Sequence, residues 1–194
     1  MISTLRKTAL LVAAASVLAA AAPDPVGMVR AKDTELRALL KQQKKAATPE
    51  RREKIKTLIN SVFDFQELGR RALPSQTWKS ATPEQQNAFV TEFRRMVENS
   101  SVKQLDSYES DSSSYQPAKI NGDKCEVTVK MWNKGTMSVV VYKMKQENGQ
   151  WRAWDFVIDD LSTMRNYRDQ FAKILKEKDL DGLIETIRKK ADEP

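Results

Sequence analysis

Three carboxylates, Asp155, Asp159 and Asp160, are the residues of this chain with the best claim to chemistry. They lie near aromatic residues, and an Asp buried beside Tyr has its pKa raised, as general acid or base work requires. The competing reading is structural. Asp159 and Asp160 stand where an alternating apolar stretch passes into a helical one, a position where Asp turns the backbone or caps the helix that follows. The 194 residues include no histidine, which removes the Ser-His-Asp and Cys-His arrangements and every histidine metal site. Neither G-x-x-x-x-G-K-[ST] nor G-x-G-x-x-G occurs, so no phosphate cradle of that kind exists for a nucleotide. The single cysteine, Cys125, falls in an alternating apolar run, where a thiol packs as a small inert group, and it has no partner for an intramolecular disulfide.

The net charge of +7 admits nucleic acid, an anionic membrane surface or acidic partners. Four tryptophans, with basic neighbours at Trp78-Lys79 and Trp151-Arg152, offer stacking groups. Trp151 and Trp154 fall on opposite sides of an alternating pattern, however, and do not make one stacking platform. The first residues argue further against nucleic acid. Arg6 and Lys7 precede the apolar, alanine-rich stretch Thr8 to Ala20, and Ala19 and Ala21 supply the small residues of an A-x-A cleavage site. Residues 1–21 therefore read as a signal peptide, with Ala22 or Pro23 opening the mature chain; the apolar stretch is short for an uncleaved anchor. Loss of Arg6 and Lys7 leaves a mature charge of about +5.

Residues 22–194 are expected to form one domain. Leu36, Leu39 and Leu40 recur at helical spacing within Val29 to Lys45. Thr48-Pro49-Glu50 starts a second helix whose face is Ile55, Leu58, Ile59 and Val62. Asp64, with Glu67 three residues on, caps a short helix that ends before Pro74. Thr82-Pro83-Glu84-Gln85 opens a helix with Phe89, Val90, Phe93, Met96 and Val97 as its stripe, reaching toward Leu105.

Asp111 to Ser114 read as a loop, and from Tyr115 the period changes to two. Cys125, Val127, Val129 and Met131 alternate with polar residues, as in a strand with one wet face. After a turn at Asn133-Lys134-Gly135, Met137 to Met144 is apolar on both sides, which predicts a central strand covered on both faces. Asn148-Gly149 turns the chain into Trp151 to Ile158, with Trp151, Ala153 and Asp155 on one side and Trp154, Phe156 and Ile158 on the other. Asp160 or Ser162 caps a helix carrying Met164, Tyr167, Phe171, Ile174 and Leu175, and a last helix holds Leu183, Ile184 and Ile187. Helices, then a three-stranded meander, then helices make an α+β fold.

In order and spacing, Phe63-Asp64-Phe65, Leu68-Gly69-Arg70-Arg71-Ala72-Leu73, Trp78, Thr82-Pro83-Glu84-Gln85, Phe89 and Phe93 form a pattern. It continues with Val141-Tyr142, Gly149, Trp151, Trp154-Asp155-Phe156-Val157-Ile158-Asp159, Leu161-Ser162, Asn166-Tyr167-Arg168 and Gln170-Phe171. Over nearly the whole mature chain this resembles the MlaC-type phospholipid-binding proteins, the toluene-tolerance or ABC-transporter auxiliary family. One departure stands out. The family pattern D-G-[VI]-S after the last strand is Asp159-Asp160-Leu161-Ser162 here, and Asp160 tolerates positive φ less well than glycine.

The resemblance implies a periplasmic carrier with no cofactor and no covalent chemistry, holding acyl chains in an apolar cavity between a twisted antiparallel sheet and the N- and C-terminal helices. It implies phospholipid as ligand. Its partners would be an outer-membrane lipoprotein complex and an inner-membrane ABC transporter bearing an MCE ring, and the carrier itself is expected to be monomeric. Burying a methylene is worth about 0.8 kcal/mol, so a chain of about sixteen carbons costs on the order of 12 kcal/mol to expose, and transfer demands a dry cavity. The expected lining is Phe93, Val97, Val127, Val129, Val139, Val141, Phe156 and Tyr167, with Arg71 and Arg168 at the headgroup or a docking surface. Ordinary core packing accounts for the same apolar pattern. Two other readings stand beside this one: an exported enzyme using Asp155 or Asp159 as general base, and an adaptor with a solid core.

Overall fold

The computed structural model describes residues 24–41, 48–105 and 111–193. The segment read as a signal peptide, residues 1–21, and the expected end of the first helix at Lys45 lie outside them. Five helices come first: α1 (Pro25–Lys41), α2 (Pro49–Val62), α3 (Phe65–Ala72), α4 (Ser75–Ser80) and α5 (Pro83–Leu105). Six strands follow: β1 (Ser112–Tyr115), β2 (Lys119–Asn121), β3 (Lys124–Asn133), β4 (Thr136–Glu147), β5 (Gln150–Ile158) and β6 (Leu161–Ser162). Helices α6 (Thr163–Ile174) and α7 (Leu180–Asp192) close the described chain. This is the α+β arrangement expected, with an open antiparallel sheet ordered β1-β3-β4-β5-β6 and β2 paired to β3.

The helix starts follow from their caps. Thr48 Oγ1 accepts from Arg51 N, and Asp64 Oδ1 from Glu67 N at 2.9 Å. Thr82 and Gln85 exchange two hydrogen bonds of 3.2 Å, a reciprocal capping box. Helix α1 begins a turn before the expected Val29, because Asp24 accepts from Val26 N and Pro25 takes the first helical position. Ser162, rather than Asp160, caps α6, accepting from Arg165 N at 3.1 Å.

The expected loop Asp111 to Ser114 is in part a strand: Ser112–Tyr115 pairs with β3, Ser112 against Trp132 and Tyr115 against Val129. The edge of β3 supplies the hydrogen bonds, and tertiary pairing overrides a run of serines that favours neither state. Strand β4 is central, but its two faces differ. Val140 and Met144 are buried, while Val139 and Val141 are half-buried and belong to neither apolar cluster.

Strand β5 departs from simple alternation. Lys143 faces Asp155 but Met144 faces Ala153, so Trp154 is an extra residue and the strand bulges there. Residues directly opposite in an antiparallel pair share a face. Ala153 and Phe156 therefore point the same way, with Met144 and Tyr142, where strict alternation puts them on opposite sides.

Two apolar clusters result. In the helical one, Phe89, Phe93, Tyr167 and Phe171 pack their rings: Phe93 meets Tyr167 at 4.9 Å and Phe171 at 5.3 Å, both edge to face. Leu68, Leu183 and Ile187 complete it. The second joins Val29 of α1 and Val62 of α2 to Cys125, Val127, Val129, Met144, Trp151 and Ala153 of the sheet. Phe63 touches both. Phe93→Ala is expected to lower stability by about 3–5 kcal/mol, read from urea unfolding, because Phe93 is fully enclosed and its neighbours cannot collapse into the gap.

Candidate functional site

Between α1, α2 and the sheet lies a cavity of about 220 Å³. From α1 it takes Val29, Lys32, Asp33 and Leu36, which recur at i, i+3, i+4 and i+7 and so form one helix face. From α2 it takes Leu58, Ile59 and Val62, followed by Phe63; from α5, Ser101. The sheet contributes Met131, Val140, Tyr142, Phe156 and Ile158, all on its helix-facing side. The wall is apolar over most of its extent, and among the described residues Lys32 and Asp33 carry its only charges. Pockets for drug-sized ligands run to roughly 300–1,000 Å³, so this gap holds a short apolar segment as it stands, and a longer one only if α1 or α2 moves away from the sheet.

A polar clasp holds α1 down. Asp33 accepts from Arg37 Nε at 2.9 Å and from the Tyr115 hydroxyl, Arg37 donates to Ser113 Oγ at 2.5 Å, and the Arg30 guanidinium lies 5.0 Å from the centre of the Tyr115 ring. Two elements far apart in sequence, α1 and the short strand β1, are thus joined across the edge of the cavity. Burial, then the hydrogen bond and charge of Asp33, push the Tyr115 hydroxyl up to about 12 from an ordinary 10.

The structure places the expected lining differently. Of the eight apolar residues, Phe156 alone lines the cavity, its ring 5.4 Å from that of Phe63. Phe93, Val97 and Tyr167 pack in the helical cluster, where burial raises the Tyr167 hydroxyl above its ordinary value. Val127 and Val129 share the correct face of the sheet but are covered by its own apolar cluster. Val139 and Val141 point to the opposite face, since they pair with Lys130 and Thr128 of β3. Arg71 bonds Glu67 at 2.7 Å and lies 4.1 Å over the Trp154 ring, and Arg168 is exposed on α6; neither reaches the cavity. Hydrogen bonds from Arg70 and Arg71 hold the Glu67 carboxyl at about 2.

The three aspartates stand on β5 and in the turn that follows it. Asp155, 1% exposed, accepts from the Ser162 hydroxyl at 2.7 Å and from Met164 N at 2.9 Å, which fixes the start of α6. Asp159 exchanges two hydrogen bonds with the backbone of Val139, and both Asp159 and Asp160 adopt positive φ, 46° and 67°. The turn is thus made in the left-handed region without the family's glycine. None of the three lines the cavity. Among the described residues no group of His, Cys, Asp or Glu could hold a metal ion, and Cys125 is buried, its thiol pushed up to about 11 by burial and the charge of Glu126.

Tyr115→Phe is expected to cost about 1–2 kcal/mol in urea unfolding at neutral pH. Because the hydroxyl's pKa is higher in the folded state, its contribution is complete below pH 10 and is lost as pH rises toward 12. The wild type should therefore lose stability over that alkaline interval and the variant lose less; equal pH profiles would count against the clasp.

A family profile described as MlaC protein matches residues 30–189. The toluene tolerance protein ttg2D of Pseudomonas putida is 28% identical over 193 residues, covering 95% of this chain and 90% of its own. A solved phospholipid-binding protein from Ralstonia solanacearum, in complex with a phospholipid, superposes with a TM-score of 0.73 at 21% identity, over 87% of this chain and 97% of that one. With the profile spanning most of its length, the chain belongs to the MlaC family.

Proposed function

We propose that this protein is a non-catalytic carrier of phospholipid in the periplasm, taking up acyl tails between α1, α2 and the sheet. The observation that carries the reading is the unfilled apolar gap, walled by Leu36, Leu58, Ile59, Val140 and Phe156, beside a helical core with which it shares only Ile59 and Phe63 among the described residues. Family membership supports it, as does the phospholipid found in the Ralstonia protein of the same fold. A buried alkyl tail gains about 0.8 kcal/mol per methylene in such a wall, much as in a bilayer, so loading and unloading lie close to balance. Docking can then decide the direction.

In this reading residues 1–21 are a signal peptide removed on export, and residues 22–194 are the carrier domain, a monomer in transit. It passes lipid between an outer-membrane lipoprotein complex and an inner-membrane ABC transporter with an MCE ring. Tails enter as the clasp between α1 and β1 loosens. An enzymatic role for Asp155 or Asp159 is disfavoured, because both are engaged with backbone or hydroxyl donors away from the cavity.

The test is lipid extraction and native mass spectrometry of the mature protein purified from cells. Wild type is expected to carry phospholipid. Leu36→Trp, which fills the gap from α1 at a residue outside both apolar clusters, should fold with near-normal stability yet retain and take up at least about tenfold less, as loss of a few buried methylenes implies. Wild-type protein that is reproducibly empty and takes up nothing from vesicles would end the proposal.

A further inference from the structure

Among the described residues the cavity wall is charged at one place only. Lys32 and Asp33 are adjacent on α1, and apart from Ser101 and Tyr142 every other lining side chain is apolar. A lipid whose tails fill the apolar part must leave its headgroup where water or polar side chains receive it. The two charges there are not equivalent. Asp33 is already met by the Arg37 guanidinium and the Tyr115 hydroxyl, with a side chain only 13% exposed. Lys32 is held by Glu35 alone among the ion pairs of this wall, at 3.1 Å, with both partners open to solvent at 31% and 55%. An exposed pair one turn apart on a helix contributes little, so the ammonium can exchange Glu35 for another anion at small cost.

We propose that Lys32 binds the phosphodiester of the bound lipid, so that the cavity selects tails attached to a phosphate over the same tails without one. This rests on the carrier reading above. The anion displaces the Glu35 carboxylate from Lys32, while Arg37 and the Tyr115 hydroxyl keep the neighbouring Asp33 charge compensated. The flexible lysine stem suits this task, because a point charge with rotatable donors follows a phosphate whose position varies with tail length. Glu35 acts as an internal competitor: it holds the empty site's ammonium and gives way when lipid arrives.

The test uses delipidated mature protein and vesicles of dioleoylphosphatidylglycerol containing a minor fraction of dioleoylglycerol, two lipids with identical tails. The ratio in which they are taken up is read by mass spectrometry of the extracted protein. Lys32→Gln is expected to lower the preference for the phospholipid about three- to tenfold, and Glu35→Gln to raise it about twofold, the range for a partly exposed charge-assisted contact. Uptake of dioleoylglycerol itself should change little in either variant. Opposite shifts from two residues one turn apart are not produced by a change in helix stability, which moves both lipids together. An unchanged ratio in Lys32→Gln with normal uptake of both lipids overturns this inference and leaves the carrier reading standing; no uptake of either lipid by wild type removes both. Inorganic phosphate, matched in ionic strength to a chloride control, should leave the ratio unaltered, since an anion without tails has no burial to hold it there. A ratio that collapses in phosphate assigns the ammonium to free phosphate and also overturns the proposal.

Discussion

Edge-to-face packing of Phe93 against Tyr167 and Phe171, with Phe89 alongside, closes the helical half of the molecule on itself. That closure gives the helical half a core distinct from the one under the sheet. The gap between α1, α2 and the sheet is open to water on one side, and apolar wall left in contact with water is a cost that hydrocarbon can relieve. A chain with one continuous core would relieve the cost by collapsing into the gap. Here the aromatic cluster of α3, α5, α6 and α7 has its own packing, while α1 and α2 touch the sheet through Val29 and Val62 and leave a gap beside those contacts. The void then becomes a site whose cost is recovered when hydrocarbon fills it.

The link between the two halves runs through β5 and its turn. The bulge at Trp154 keeps Ala153 and Phe156 on one face and leaves Asp155 on the other, where it fixes the first turn of α6. Arg71 from α3 stacks over Trp154 itself and is anchored by Glu67. Phe63, between α2 and α3, bridges to Ala153 and touches both clusters. Asp155, which looks chemical in the sequence, thus ties the sheet to the helical half, and the charged residues of the cavity wall, Lys32 and Asp33, stand on a helix whose pattern reads as an ordinary amphipathic surface.

Helix starts were legible because their caps are local: Asp64, Thr82 and Ser162 each bond a backbone amide three residues on. The α+β order and the β3-β4-β5 meander followed from the change of period and the two Gly-containing turns. The border of the cavity differs from the expected lining for two physical reasons. Apolar periodicity marks a face, and a face packed on side chains looks the same as one left facing a void; Phe93 and Val97 fell to that ambiguity. The sides of β4 and β5 depend on register. The turn Lys134-Gly135 sets Asn133 against Thr136, and counting back from it pairs Val129 with Val140 and Val127 with Tyr142. The expected three-residue turn Asn133-Lys134-Gly135 does not give that register, in which Val140 and Tyr142, rather than Val139 and Val141, face the helices. The bulge had no local signal, and β1 is four residues whose pairing comes wholly from the β3 edge.

The most direct test of the account is where the tail lies. A phospholipid with a photoactivatable diazirine at the end of one acyl chain, loaded into the mature protein and irradiated, reports its position by peptide mass spectrometry. Adducts are predicted on α1, α2 and the helix-facing side of the sheet, among Leu36, Ile59, Val140 and Phe156. Adducts concentrated instead on Phe93, Tyr167 and Phe171 would place the tail in the helical core and contradict the division of the interior on which the account is built.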